Sequence, residues 1–128
     1  MNLSYSIVIR TLGNTGVKYQ ALLQSIKAQT VQPEEIIVVI PYGYELDYKL
    51  GSERVVYCEK GMVQQRAVGI AESNAEYSLI CDDDIQFAPN MVEELYKYQY
   101  PLELHRYFHS YQHQTVHSYQ QPQYPYLT

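Results

Sequence analysis

The stretch Leu79-Ile80-Cys81-Asp82-Asp83-Asp84-Ile85 sets three carboxylates in a row behind an apolar run. Two carboxylates about 4 Å apart repel by roughly 4 kcal/mol at an effective dielectric near 20. A solvated loop tip dissipates that repulsion, and a divalent cation reverses it. Only the second arrangement does chemistry. Hard cations of this kind take a few carboxylates and complete their shell with water or phosphate oxygens. If the extended backbone persists through the cluster, side chains alternate between faces, so Asp83 points away from the face that holds Asp82 and Asp84.

The cluster needs elements that bring it to a ligand. Ser6-Ile7-Val8-Ile9-Arg10, Glu35-Ile36-Ile37-Val38-Val39-Ile40, Arg54-Val55-Val56-Tyr57-Cys58 and Tyr77-Ser78-Leu79-Ile80-Cys81 read as four strands. The second is apolar on both faces, as a central parallel strand covered on both sides should be. Helices are predicted from about Val17 to Gln29, capped by Asn14 or Thr15, and from Met62 to Ser73, with Val63, Ala67, Ile70 and Ala71 at core spacing. A short helix over Glu45 to Leu50 and one opened by Pro89 as its first helical residue complete the pattern. Alternating strands and helices predict an α/β fold of three αβα layers around an open, mainly parallel sheet. Ligands of such sheets gather at the carboxyl ends of the strands, where the strand order reverses. Arg10-Thr11, Glu59-Lys60 and the three aspartates all fall on that rim.

Composition narrows the classes. The chain has 128 residues, enough for one domain with a real core, and 46% of them are hydrophobic. A net charge of -5 argues against a nucleic-acid surface working by phosphate neutralisation. No stretch reads as a membrane span or a secretory leader, which predicts a cytoplasmic protein. Cys58 and Cys81, each inside an apolar run, read as buried reduced thiols.

Five stretches in order carry a resemblance: Ser6-Ile7-Val8-Ile9; Leu22 through Ser25-Ile26 to Gln29-Thr30; Glu35-Ile36-Ile37-Val38-Val39; Gly61 through Arg66 to Gly69; and Glu76-Tyr77-Ser78-Leu79-Ile80-Cys81-Asp82-Asp83-Asp84. Together they make residues 4–98 resemble the donor-binding half of the family 2 glycosyltransferases, with their GT-A fold and Asp-x-Asp motif. The resemblance implies inverting transfer of a sugar from a nucleotide-diphospho-sugar to a sugar or lipid-linked acceptor, assisted by Mn²⁺ or Mg²⁺. It makes Asp84 the direct metal ligand and sets Asp82 against the ribose, the sugar or the metal's waters. Asp83 becomes a solvated neighbour in the nucleotide site. Thr11 would line the nucleoside pocket through its backbone, Lys60 would contact the nucleotide, and Arg66 would support the aspartates or the nucleotide. The plainer readings are a solvated lysine and a surface arginine on an amphipathic helix. A non-catalytic metal- and nucleotide-binding module, or an interaction protein, is the alternative function, and a homo-oligomer is compatible with either.

The sequence also departs from the family. An acidic residue usually follows the second strand, but here Ile40 runs into Pro41-Tyr42-Gly43, where Tyr42 or Tyr44 could stack on a base instead. The family's catalytic base comes from a second half that residues 4–98 do not include, so the chain reads as truncated. Glu103 is the remaining carboxylate beyond Tyr98, in a segment without the resemblance. Residues 99–128 form a Tyr/Gln/His-rich tail with His105, His109, His113 and His117 four apart. That tail reads as an unselected segment, an accessory packing segment, or a stripe able to bind zinc.

Overall fold

The fold was determined as a computed structural model that describes residues 4–98. The expectations for the tail, including its histidine stripe and Glu103, lie outside the described residues. The element order is β1 (Tyr5–Arg10), α1 (Val17–Lys27), β2 (Glu35–Pro41), β3 (Arg54–Cys58), α2 (Met62–Glu72), β4 (Tyr77–Asp82) and α3 (Met91–Tyr98). The four strands form one sheet in the order β3-β2-β1-β4, and every pairing is parallel. β4 lies beside β1, and β3 lies at the far edge, the strand order that the resemblance to the GT-A fold implies.

The apolar runs explain the layers. Ile7, Ile9, Ile36 and Val38 face one side, where Tyr19, Leu22, Leu23 and Ile26 of α1 and Val92 of α3 cover them. Those four α1 positions repeat at helical spacing and are all fully buried. Val8, Ile37 and Val39 face the other side, with Val56 and Val68 packed against them. Cys58 and Cys81 are both buried and free, on strands that are not neighbours. Burial pushes the Cys81 thiol up to about 12, with Asp82 and Asp83 adding to it, so it remains protonated at neutral pH.

Four local expectations are corrected. Residues 45–50 form no helix; their backbone is tied to the turn after β1 by Asp47 N–H donating to the Gly13 carbonyl, 3.1 Å. Helix α1 is capped by Gly16 with no side-chain hydrogen bond, so neither Asn14 nor Thr15 serves as the cap. Pro89 lies two residues ahead of α3, in a turn closed by Met91 N–H donating to the Ala88 carbonyl at 3.0 Å. Finally, α2 turns Gln65 and Gly69 to the sheet, while Val63 is 79% exposed. A Cβ at Gly69 would stand 2.1 Å from Val8 Cγ1. The helix lies so close to the sheet that the apolar stripe read from its sequence cannot be the buried one.

Candidate donor-binding rim

Strands β1, β2 and β3 run outward in one direction from β1 and β4 lies on its other side, so the strand order reverses between β1 and β4. Register there pairs Arg10 with Asp82. Both side chains fall on the α2 face, and the guanidinium Nε of Arg10 donates to Asp82 Oδ1 at 3.2 Å. Arg66 of α2 reaches the same oxygen from above, Nη2 to Oδ1 at 3.1 Å. Partial burial alone would push the Asp82 carboxyl up, but the hydrogen bonds from Arg66 and Arg10, with their charge, hold it below the usual carboxylate range. Asp82 is thus a carboxylate at neutral pH, with one oxygen spoken for.

Asp83 turns to the opposite face, as alternation requires. It is half-buried, not a solvated neighbour: the Thr11 hydroxyl donates to its Oδ2 at 2.5 Å. Thr11 is fully buried and its polar groups are engaged within the protein. Its N–H donates to the Val39 carbonyl, its carbonyl accepts from Gln65, and its hydroxyl accepts from Gly13 N–H at 2.9 Å. Asp84 is exposed and has no hydrogen-bond or ion-pair partner among the described residues.

Lys60, beyond the end of β3, lies apart from this cluster. Its ammonium is 2.8 Å from the Tyr44 hydroxyl and 5.2 Å from the ring centroid, a position at the hydroxyl end of the ring and not over its face. Tyr42 is exposed on the same β2–β3 side of the rim. The structure thus gathers Thr11, Arg66, Asp82, Asp83 and Asp84 at the β1/β4 junction and sets Lys60 to one side. Of two further contributors, Arg10 was placed on the rim by sequence without a role, and Gln65 was not singled out. Arg10 carries a signal in hindsight, because its place at a strand end on the same face as Asp82 follows from the register. Gln65, only 1% exposed, carries none, since a glutamine in an amphipathic helix reads as surface.

Could such a rim hold Mn²⁺ or Mg²⁺? Among the described residues no three His, Cys, Asp or Glu side chains converge on one point. Cations of this class do not need that, since they commonly take one or two carboxylates and draw the rest of their shell from water and substrate phosphates. An unpartnered Asp84 next to a half-engaged Asp82 fits that donor set.

No family model matches the sequence. An uncharacterized glycosyltransferase of Bacillus subtilis (strain 168), YwdF, is 35% identical over 83 residues, covering 59% of this chain and 31% of that protein. The chain therefore spans about a third of the length of the curated relative it matches. Among solved structures, S. aureus TarS 1-349 superposes with a TM-score of 0.62 at 18% identity, over 76% of this chain and 32% of that one. The same TarS fragment in complex with UDP superposes with a TM-score of 0.58 at 17% identity, over the same shares. No helix among the described residues is long and apolar enough to cross a membrane. The described residues thus share the parallel α/β fold of the TarS fragment, and over 83 residues the chain is similar in sequence to a glycosyltransferase.

Proposed function

We propose that the β1/β4 rim binds the diphosphate of a nucleotide-diphospho-sugar and that the chain serves sugar transfer, of the inverting family 2 type, to a sugar or lipid-linked acceptor in the cytoplasm. The observation that carries this reading is the contrast within the aspartate run: Asp82 is held by two guanidiniums, Asp83 by a hydroxyl, and Asp84 stands free at the rim. A cluster built only as a charge patch has no need of three different settings. The UDP bound by TarS, a structure of similar fold, supports a nucleotide ligand.

In this reading Asp84, with the second oxygen of Asp82, would hold Mn²⁺ or Mg²⁺, which stabilises charge on the departing diphosphate as a Lewis acid. Arg10 and Arg66 both pair with the one Oδ1 of Asp82, so with a cation on the aspartates the α2 side of the rim would favour a diphosphate. Lys60, with Tyr42 and Tyr44, offers the ribose or base a donor and aromatic surface on the β2–β3 side. Thr11 and Asp83 frame the site from inside the protein.

Calorimetry of the full chain with Mn²⁺ and UDP, then with other nucleoside diphosphates, tests this directly. Asp84→Ala is expected to abolish Mn²⁺-dependent binding and Asp82→Ala to weaken it. If the two substitutions lower affinity equally and Mn²⁺ makes no difference, the aspartates are a diffuse charge patch and the reading fails.

A further inference from the structure

Gln65 is buried to 1% exposure in a helix whose other buried residue is a glycine, and nothing about nucleotide binding calls for an amide there. Its Nε2 donates to the Thr11 carbonyl at 3.1 Å and to the Val39 carbonyl at 3.0 Å. Its Oε1 lies 3.4 Å from Gly61 N–H at the start of α2. With two carbonyls on one side and an N–H on the other, only one orientation of the amide satisfies all three groups. Val39 already receives Thr11 N–H at 3.2 Å, so Thr11, Val39 and Gln65 close a ring of hydrogen bonds at the ends of β1 and β2. That ring fixes the Thr11 backbone.

The Thr11 hydroxyl accepts from Gly13 N–H, so its own proton is left to donate, and it donates to Asp83. A hydroxyl polarised by a donor behind it makes a stronger bond ahead of it. The bond to a carboxylate is charge-assisted as well, and its 2.5 Å length fits that class. A continuous path therefore runs from a buried amide on α2, through β1, to the middle aspartate of the rim.

We infer that Gln65 is a positioning residue: through Thr11 it holds Asp83, and with it the flanking Asp82 and Asp84, in one conformation before any ligand arrives. Without that anchor, three adjacent carboxylates would splay apart, since extending into water relieves their repulsion. The inference rests on the donor-binding reading for its use, but its physical content is order in the aspartate segment, which is measurable without a ligand.

The test is amide hydrogen exchange, resolved by residue, on the full chain and on Gln65→Met, Thr11→Val and Thr11→Ser. Gln65→Met keeps length and burial and removes the donors; Thr11→Val keeps shape and removes the hydroxyl. In both, amides of residues 82–85 are expected to exchange about tenfold faster or more, while those of 36–39 in β2 change less. Thr11→Ser, which restores the hydroxyl, is expected to return residues 82–85 to near the original rate. Uniform acceleration across the sheet, or no change at 82–85, overturns the inference. In parallel, calorimetry with Mn²⁺ and UDP is expected to show about tenfold weaker binding for Gln65→Met and Thr11→Val and recovery in Thr11→Ser. Selective loosening without weaker binding in a chain that does bind also overturns it. A wild-type chain that fails to bind Mn²⁺ and UDP sinks the donor-binding reading instead, and leaves the exchange result to decide the positioning role.

Discussion

Asp82 carries opposing influences that meet on one oxygen. Burial disfavours its charge, and two guanidiniums restore it. Because the folded-state pKa lies below the unfolded value of about 3.9, the stability this group contributes is fully present above that value. It is lost as pH falls through the folded pKa. The stability gap between wild type and Asp82→Asn, from urea titrations, is accordingly expected to be largest above about pH 5 and to shrink as pH falls below the unfolded value. It should be about 1 kcal/mol or less and shrink with added salt, because the carboxylate and Arg66 are each 38% exposed. Of these contacts, the support that Arg66 gives the aspartates was legible from its place in a recognisable stretch. Arg10 was legible as a rim residue but not as a partner of Asp82, since only the register sets it across from that carboxylate.

Helix α2 shows where element-level reading succeeds and where it stops. Its existence and bounds followed from sequence, as did all four strands, because runs such as Ile36-Ile37-Val38-Val39-Ile40 leave no other way to bury so much branched surface. Its orientation did not. Hydrophobic spacing selects the side richest in methyl groups, yet the inward side is set by how near the helix can come, and Gln65 and Gly69 permit the closest approach. Residues 45–50 failed for a related reason: Leu46, Tyr48 and Leu50 pack on the core from an irregular loop, which mimics an amphipathic pattern. Gly69→Ala measures the approach. Alanine favours an exposed helix by about 1 kcal/mol over glycine, but here its Cβ meets Val8 in a fully packed core, and a β-branched side chain has little rotamer freedom to yield. Net destabilisation of about 1 to 3 kcal/mol is expected from denaturant unfolding; a stabilised variant would show that α2 lies farther from the sheet.

At the scale of the whole molecule, the sheet has only parallel neighbours, so each pairing waits for a crossover to form. The expected strand order could be read from the resemblance, whereas the way the two faces share the rim could not: α2 reaches Asp82 from one side of the sheet and Thr11 reaches Asp83 from the other. At the opposite end of β2, Arg54 joins Glu35 to Glu72, fastening β2, β3 and α2 among themselves without β4. The β1–β4 junction, in contrast, joins residues 72 apart in sequence, as Arg10 and Asp82 are. Closing so long a loop costs entropy before any contact there repays it. On this ground the rim is expected to form late, on a β1–β2–β3 platform that forms before it. In stopped-flow kinetics, Arg10→Met is expected to leave the refolding rate nearly unchanged and to speed unfolding, the signature of contacts absent from the transition state. The rim proposed to face the ligand would then be the last part to form and the first to open, and a partly synthesised or partly unfolded chain would lose the Arg10–Asp82 junction well before it lost its sheet.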